Sequence, residues 1–267
     1  SINSSSGVLT FASTPNYEIP TDADVNNTYI VIVTVTDNGS LTDTQTLTVT
    51  VTDVNEAPVI TSSSSASFAE NSTSTVITVT SSDVDSGSSA TYSKSGTDAG
   101  VFNIGSSSGA LTFASPPNYE SATDADGNNT YIVIVTVTDN GSLTDTQTLT
   151  VTVTDVNDAP VITSNSGGST ASISFAENNT AAVTTVTSSD EDGDTRTYTK
   201  SGTDAGVFNI DGTSGVLTFA STPNYEIPTD ADGNNTYIII VTATDNGSGS
   251  LTDTQTLTVT VTDVNEA

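Results

Sequence analysis

The chain has 267 residues, 32 Asp and Glu against three Lys and Arg, a formal net charge of −29, and no Cys, His, Met or Trp. Without Cys there is no disulfide framework, thiol nucleophile or zinc–thiolate site, and without His the usual general base and imidazole ligand are missing. Three basic residues cannot neutralise a phosphate backbone, so nucleic acid is excluded as a partner, and no apolar run approaches the ~18 residues of a membrane-spanning helix. The chain opens on Ser and carries no leader pattern, so the expectation is a mature chain or a window cut from a longer one.

A repeat runs through the sequence. PNYE occurs at Pro15–Glu18, Pro117–Glu120 and Pro223–Glu226, and TDNG at Thr36–Gly39, Thr138–Gly141 and Thr244–Gly247. DVNEA, DVNDA and DVNEA close the units at Asp53, Asp155 and Asp263, and FAEN occurs at Phe68–Asn71 and Phe175–Asn178. The spacing is 102 residues and then 106–108, the longer unit including the extra Gly-Ser of Asn246–Leu251. The chain therefore reads as a partial unit, 1–57, and two full ones, 58–159 and 160–267. Ile2–Leu9 matches Ile104–Leu111, so the first unit lacks about 45 residues, worth three strands. Half a sandwich with an open apolar face should not be stable alone, and the expectation is an excerpt of a longer array.

Within the middle unit, period-2 alternation predicts a strand over 76–80, short strands over 91–93 and 101–104, a Gly/Ser turn at 105–109 with positive φ at Gly109, and a strand over 110–114. Tyr131–Thr138 is apolar on both faces at its start and reads as central. Asn140-Gly141 signals a hairpin, and Thr146–Thr154 alternates Leu149, Val151 and Val153 with Thr148, Thr150 and Thr152. No stretch has helical period. Some seven short strands in ~100 residues indicate an all-β, immunoglobulin-like Greek-key sandwich, repeated in a linear array. The aromatic residues recur at equivalent positions and read as core, which leaves no platform for stacking on sugars.

The acids recur at fixed turns and strand ends: FAEN, DVD or DED, NYE, TDNG and DVNE/D. The ordered set, repeated across the whole chain, resembles the cadherin repeat, and more narrowly the cadherin-like tandem repeats of large bacterial surface proteins. The resemblance implies calcium ions at each junction, held by oxygens of both neighbouring repeats. It places Glu18, Asp53, Asn55, Glu56, Asp83, Asp85 and Asp139 at the first junction. It places Glu70, Glu120, Asp155, Asn157, Asp158, Asp190, Asp192 and Asp245 at the second, and Glu177, Glu226, Asp263, Asn265 and Glu266 at a C-terminal half-site. Calcium takes ~6–8 oxygens, and unneutralised close carboxylates repel by ~1–4 kcal/mol per pair at effective dielectrics of 80 to 20. These positions hold 17 of the 32 acids, so the net charge reads largely as metal-site charge. Two departures stand out. Asn16, Asn118 and Asn224 replace a frequent Asp of the family, and Ala57, Ala159 and Ala267 replace its second Asn. The DAD(G/V)NN loops at 22–27, 124–129 and 230–235 lack the distal Glu of an EF-hand and read as turns. Lys94 and Lys200 are equivalent; an isopeptide crosslink is the sharper reading and an exposed Lys paired with local acids the plainer one. Asn-x-Ser/Thr sequons such as Asn71, Asn140 and Asn246 are expected by chance in such turns.

The expected function is a calcium-stiffened extracellular array, the stalk or spacer of a surface adhesin or surface fibre, with Ca²⁺ as the bound ion and no enzymatic activity. Its partners would be neighbouring repeats of the same chain, and like chains in a fibre. The alternative is a calcium-dependent recognition module, binding cell-surface glycans or acting in homophilic adhesion.

Overall fold

The computed structural model describes residues 1–266, so the Ala267 departure lies outside the described residues. The chain divides into two compact units, Ser1–Thr154 and the remainder from Asp155. The first unit begins with a bridge between Ile2 and Leu9, then an antiparallel hairpin of β1 (Thr28–Thr36) and β2 (Thr42–Thr50). A sandwich follows, made of β3 (Val59–Ile60), β4 (Ser65–Ala69), β5 (Ile77–Thr78), β6 (Ser81–Ser82), β7 (Thr91–Ser95), β8 (Phe102–Ile104), β9 (Ala110–Phe113), β10 (Thr130–Thr138) and β11 (Thr144–Thr154). One sheet has the order β4-β11-β10-β7, with β4 parallel to β11; the facing strands form β5-β9-β8 and β3-β6. The second unit repeats the plan with β12 (Val161–Ile162), β13 (Thr170–Ala176), β14 (Thr184–Thr185), β15 (Ser188–Ser189), β16 (Thr197–Ser201), β17 (Phe208–Ile210), β18 (Val216–Phe219), β19 (Thr236–Thr244) and β20 (Thr252–Thr262). Its sheets are β13-β20-β19-β16, β14-β18-β17 and β12-β15. No α-helix occurs among the described residues, only three single 3₁₀ turns.

Alternation explains the layers. Odd positions of β10 and β11 turn inward, and Tyr131, Val133, Leu149, Val151 and Val153 pack on Phe68, Phe102 and Leu111, with Val135 and Val137 against Ile60 and Val79. Each such side chain contributes ~1.5–3 kcal/mol when fully buried. The buried Tyr131 ring keeps its hydroxyl satisfied, accepting from the Thr123 N–H at 3.1 Å. Gly109 has φ +66, as the turn reading requires, and a Cβ there would lie 2.1 Å from the Val79 carbonyl oxygen.

Of the predicted strand over 76–80 only β5, Ile77–Thr78, forms, paired with β9; β6 follows just beyond it and pairs with β3 instead. The strand at 101–104 begins one residue later, after a 3₁₀ turn over Ala99–Val101. β4 was not expected, because its Ser-rich run shows only Phe68 as a strongly apolar residue. The Asn140-Gly141 hairpin forms, but the loop is longer than two residues and positive φ falls on Ser142. Aromatic burial is incomplete: Phe102, Tyr131, Phe208 and Tyr237 are buried, whereas Tyr119 and Tyr225 of the NYE motifs are 38% and 39% exposed.

Candidate metal centre

The first unit holds a candidate centre of four carboxylates. Glu18, Asp53, Glu56 and Asp85 each offer a carboxylate oxygen, and these oxygens lie within 4.8 Å of one another. Glu18 comes from the NYE turn and Asp53 and Glu56 from the DVNE link. Asp85 comes from the loop after β6, in the following repeat.

Hydrogen bonds draw the link onto that loop. The Glu56 N–H donates to Asp85 Oδ2 at 2.8 Å, and Asn55 Nδ2 donates to Asp139 Oδ2 at 2.7 Å. Asp139 also caps its own turn, accepting from the Leu143 N–H at 2.8 Å. A Cβ on Gly141 would lie 2.6 Å from the Asn55 side chain, so the TDNG glycine serves the close approach of Asn55. The chain enters the sandwich under a further clamp, the Ile60 N–H donating to Asp145 Oδ2 at 2.9 Å.

Electrostatics mark the same place. Burial, then the charges of Glu18, Asp85 and Asp53, push the Glu56 carboxyl above its usual range. Asp85 Oδ1 is buried without a hydrogen-bond partner. An anionic oxygen left in that state is costly unless a cation meets it. Asp83 differs. It accepts from the Asp85 N–H and Ser88 Oγ, which holds its carboxyl below the usual range. It stands outside the four-carboxylate group.

The second unit repeats the pattern with its own residues. Asn157 Nδ2 donates to Asp245 Oδ2 at 3.0 Å and the Asp158 N–H to Asp192 Oδ2 at 2.6 Å. A Cβ on Gly247 would overlap Asn157 Oδ1, as Gly141 meets Asn55. Asp190 Oδ2 and Asp192 Oδ1 are buried without hydrogen-bond partners. Asp194 joins this group and was not anticipated. Burial, then Asp190, Asp245 and Asp192, push its carboxyl up. Its signal is visible in the DEDGD run, where one more acid than the DVD of the preceding repeat follows a glycine.

At the C-terminal end Glu177, Glu226 and Asp263 bring carboxylate oxygens within 4.8 Å of one another. Glu177 is buried and accepts from the Tyr225 and Val264 N–H groups, each at 2.8 Å, which hold its carboxyl below the usual range. Glu266 accepts from Asn178 Nδ2, and Asn265 is exposed. In the first unit Glu70 is buried and accepts from the Tyr119 N–H at 2.6 Å, and Glu120 is exposed; Asp155 is exposed in the second.

The remaining candidates are structural. In the DADGNN loop Asp124 accepts from the Asn128 and Asn129 N–H groups, while Asn129 Nδ2 reaches the Tyr119 carbonyl. The loop closes on itself, as a turn does. Lys94 and Lys200 each bond a backbone carbonyl of their own repeat. Half-buried, their ammonium groups donate to the carbonyls of Ala99 and Ala205, which open nearby 3₁₀ turns.

The donor set suits a hard, oxygen-seeking cation. Glu18, Asp53, Glu56 and Asp85 would hold it in the first unit, with Asp139 fixing the link. Bound there, the ion would neutralise the mutual repulsion of these carboxylates.

The cadherin domain family matches residues 64–154 and 171–262. No curated protein matches the chain. Among solved structures, the chain is similar to a protocadherin gammaB7 EC3-6 cis-dimer (23% identity, covering 90% of this chain and 60% of that one, TM-score 0.48). It is also similar to protocadherin gamma B2 extracellular cadherin domains 1-5 (20% identity, 92% and 48%, TM-score 0.51) and to mouse cadherin-23 EC22-24 (23% identity, 92% and 78%, TM-score 0.47). The chain spans less than two thirds of the length of the first two of these. The family match and the likeness to the protocadherin gamma B2 domains bear on fold, which is all-β with immunoglobulin-like cadherin sandwiches.

Proposed function

The chain belongs to the cadherin-domain family, and from that premise we propose that it is a calcium-stiffened stalk or spacer of a bacterial surface adhesin or fibre. Cadherin domains are extracellular adhesion modules that generally bind Ca²⁺ and are typically not enzymes. The proposal reads the repeats as 1–57, 58–159 and 160–267, with ions at the boundaries.

One observation carries it. Carboxylates from either side of residue 57 converge, and the Asp85 oxygen among them is buried with no proton donor to meet it. A divalent cation offsets that desolvation and joins the link to the next repeat at the same time. The same residue types recur at Glu70, Glu120, Asp155, Asn157, Asp158, Asp190, Asp192 and Asp245, and at Glu177, Glu226, Asp263, Asn265 and Glu266. The proposal extends to them through the repeat.

Thermal melts and small-angle scattering in calcium and in excess chelator test this. Chelation should lower Tm, broaden the scattering profile and open the links near 55–58 and 157–160 to proteases. Asp85→Asn should weaken calcium binding without disturbing the sandwich core. Identical melts and scattering in both conditions would refute the reading.

One observation favours a second reading, a glycan-recognition module. The NYE tyrosines Tyr119 and Tyr225 are exposed, so each full repeat presents an aromatic ring beside its acids. A glycan array in calcium, with Tyr119→Ala and Tyr225→Ala as controls, separates the two readings.

A further inference from the structure

Three Asn-Gly pairs stand in the chain, Asn38-Gly39, Asn140-Gly141 and Asn246-Gly247, each in the turn that follows β1, β10 or β19, and all three asparagines are exposed. Such a pair can react with itself. Glycine has no Cβ to keep its backbone nitrogen from the preceding carboxamide carbon, and the chain already holds the two groups close together. A fold restrains the reaction in two ways. A hydrogen bond on the glycine N–H keeps the proton that the nitrogen must lose, and a bond to the carboxamide keeps its carbon from turning onto that nitrogen.

The three turns differ in both restraints. The Gly39 N–H donates to Asp37 Oδ1 at 2.8 Å. The Gly247 N–H donates to Asp245 Oδ1 at 3.1 Å, and Asn246 Oδ1 is itself held, accepting from the Thr195 N–H at 2.7 Å. In the middle turn neither restraint is present among the described residues. Asp139 Oδ1 accepts from the Leu143 N–H, the Gly141 N–H has no acceptor and the Asn140 carboxamide has no partner. The loop after β1 has the same letters, so the difference lies in hydrogen bonding and not in local sequence.

We propose that Asn140-Gly141 is a self-modification site, and that its product releases the DVNE link. The Gly141 nitrogen loses its proton to water and bonds to Asn140 Cγ, while the Cγ–Nδ2 bond breaks and that nitrogen leaves as ammonia. Water then opens the cyclic imide. Entry at Cγ leaves aspartate; entry at the main-chain carbonyl leaves isoaspartate, whose backbone runs through the former side chain and is longer by a carbon. Either product sets a new carboxylate beside the buried Asp139. Asp139 holds Asn55 of the link, and Asn55 lies so close over Gly141 that a Cβ there would stand 2.6 Å from it. A lengthened main chain has no room in that seat. Conversion therefore breaks the Asn55–Asp139 bond and exposes the link, and it does so irreversibly.

Ageing of the full chain at mildly alkaline pH, followed by mass spectrometry and an isoaspartate assay, tests the proposal. Trypsin applied to the denatured chain cuts after Lys94, Arg196 and Lys200, so each Asn-Gly pair falls in a separate peptide. Conversion should appear first at Asn140, at least about threefold faster than at Asn38, as the absence of one hydrogen bond implies, and should be slowest at Asn246. A Glu-specific protease applied to the folded chain should cut at Glu56 faster as conversion advances. Asn140→Gln, whose longer side chain disfavours ring closure, should hold that cleavage at the rate of the fresh chain. Asp37→Ala releases the Gly39 N–H and should raise conversion of Asn38 to the rate of Asn140. The proposal is overturned if the three turns convert at one rate, or if Asp37→Ala leaves Asn38 unmoved. It is equally overturned if the aged chain is cut at Glu56 no faster than the fresh one.

Discussion

The hairpins β1-β2 and β10-β11 share the same 23-residue sequence and differ only in position: TYIVIVTVT, the DNGSL loop and TDTQTLTVT recur letter for letter. They form the same register, Thr28 opposite Thr50 and Thr130 opposite Thr152. Their surroundings differ. Val35 is 66% exposed while its equivalent Val137 is fully buried, and β2 stops at Thr50 while β11 continues to Thr154 alongside β4. A hairpin is thus specified by its own alternation and turn, whereas its contribution to stability comes from the strands laid against it. A third version, β19-β20, sits in the second unit with small changes, so one element can be read in three environments.

The largest expected difference comes from truncating the leucine of the last strand. Leu149→Ala should destabilise the first sandwich by about 2–5 kcal/mol, while Leu47→Ala in the open hairpin should cost less than about 1 kcal/mol. Urea unfolding followed by circular dichroism measures both, and equal losses would break the comparison.

The tyrosine comes next. Tyr131→Phe leaves the Thr123 N–H without its acceptor beneath a buried ring, for a loss of about 1–3 kcal/mol. Tyr29 makes the same bond to Thr21 in an exposed setting, where water replaces it, and Tyr29→Phe should be nearly silent in the same unfolding curves.

Glutamine sharpens the contrast between the two complete sandwiches. Gln255 is fully buried and satisfied, donating to the Ser164 and Gly168 carbonyls and accepting from Asn165 Nδ2. Gln147 donates to the Ser62 carbonyl, but its buried Oε1 has no partner. Gln255→Leu should therefore cost about 1–3 kcal/mol and Gln147→Leu close to nothing, as differential scanning calorimetry would show.

The smallest effect concerns acid. Asp211 accepts from the Ser214 and Thr213 N–H groups, which hold its carboxyl below the usual range; the equivalent residue in the preceding repeat is Gly105. A lowered carboxyl contributes stability that is present above its unfolded value of 3.8 and lost as pH falls through its folded value. Asp211→Gly should lower Tm at pH 7 and leave it unchanged at pH 2. A difference that persists in acid would assign the effect to the turn's backbone.

The long strands and the sandwich class were legible because alternation is a local property, and β10 and β11 carry it over nine residues or more. β3 and β6 were not, since two-residue strands are defined by their partners. The candidate centre was legible as an ordered set of motifs, and the pairing of Asn55 with Asp139 followed it. The exceptions are instructive. Asp194 became a member through its neighbours Asp190, Asp192 and Asp245; the DEDGD run displays the first two, and only the fold supplies Asp245. Asp83 was drawn away by the N–H and hydroxyl groups of its own turn.

The parallel pairing of β4 with β11 has a mechanical consequence. The first long strand of the sandwich and the last are hydrogen-bonded side by side and run the same way, so tension applied at the two ends of a repeat slides one strand along the other. Every bond of the ladder is then loaded at once, instead of one at a time as in an opening zipper. The ladder spans five residue pairs in the first sandwich, from Thr150–Ser65 to Thr154–Ala69, and seven in the second, from Thr170–Thr256 to Ala176–Thr262. Under a steady pull the second sandwich should yield last.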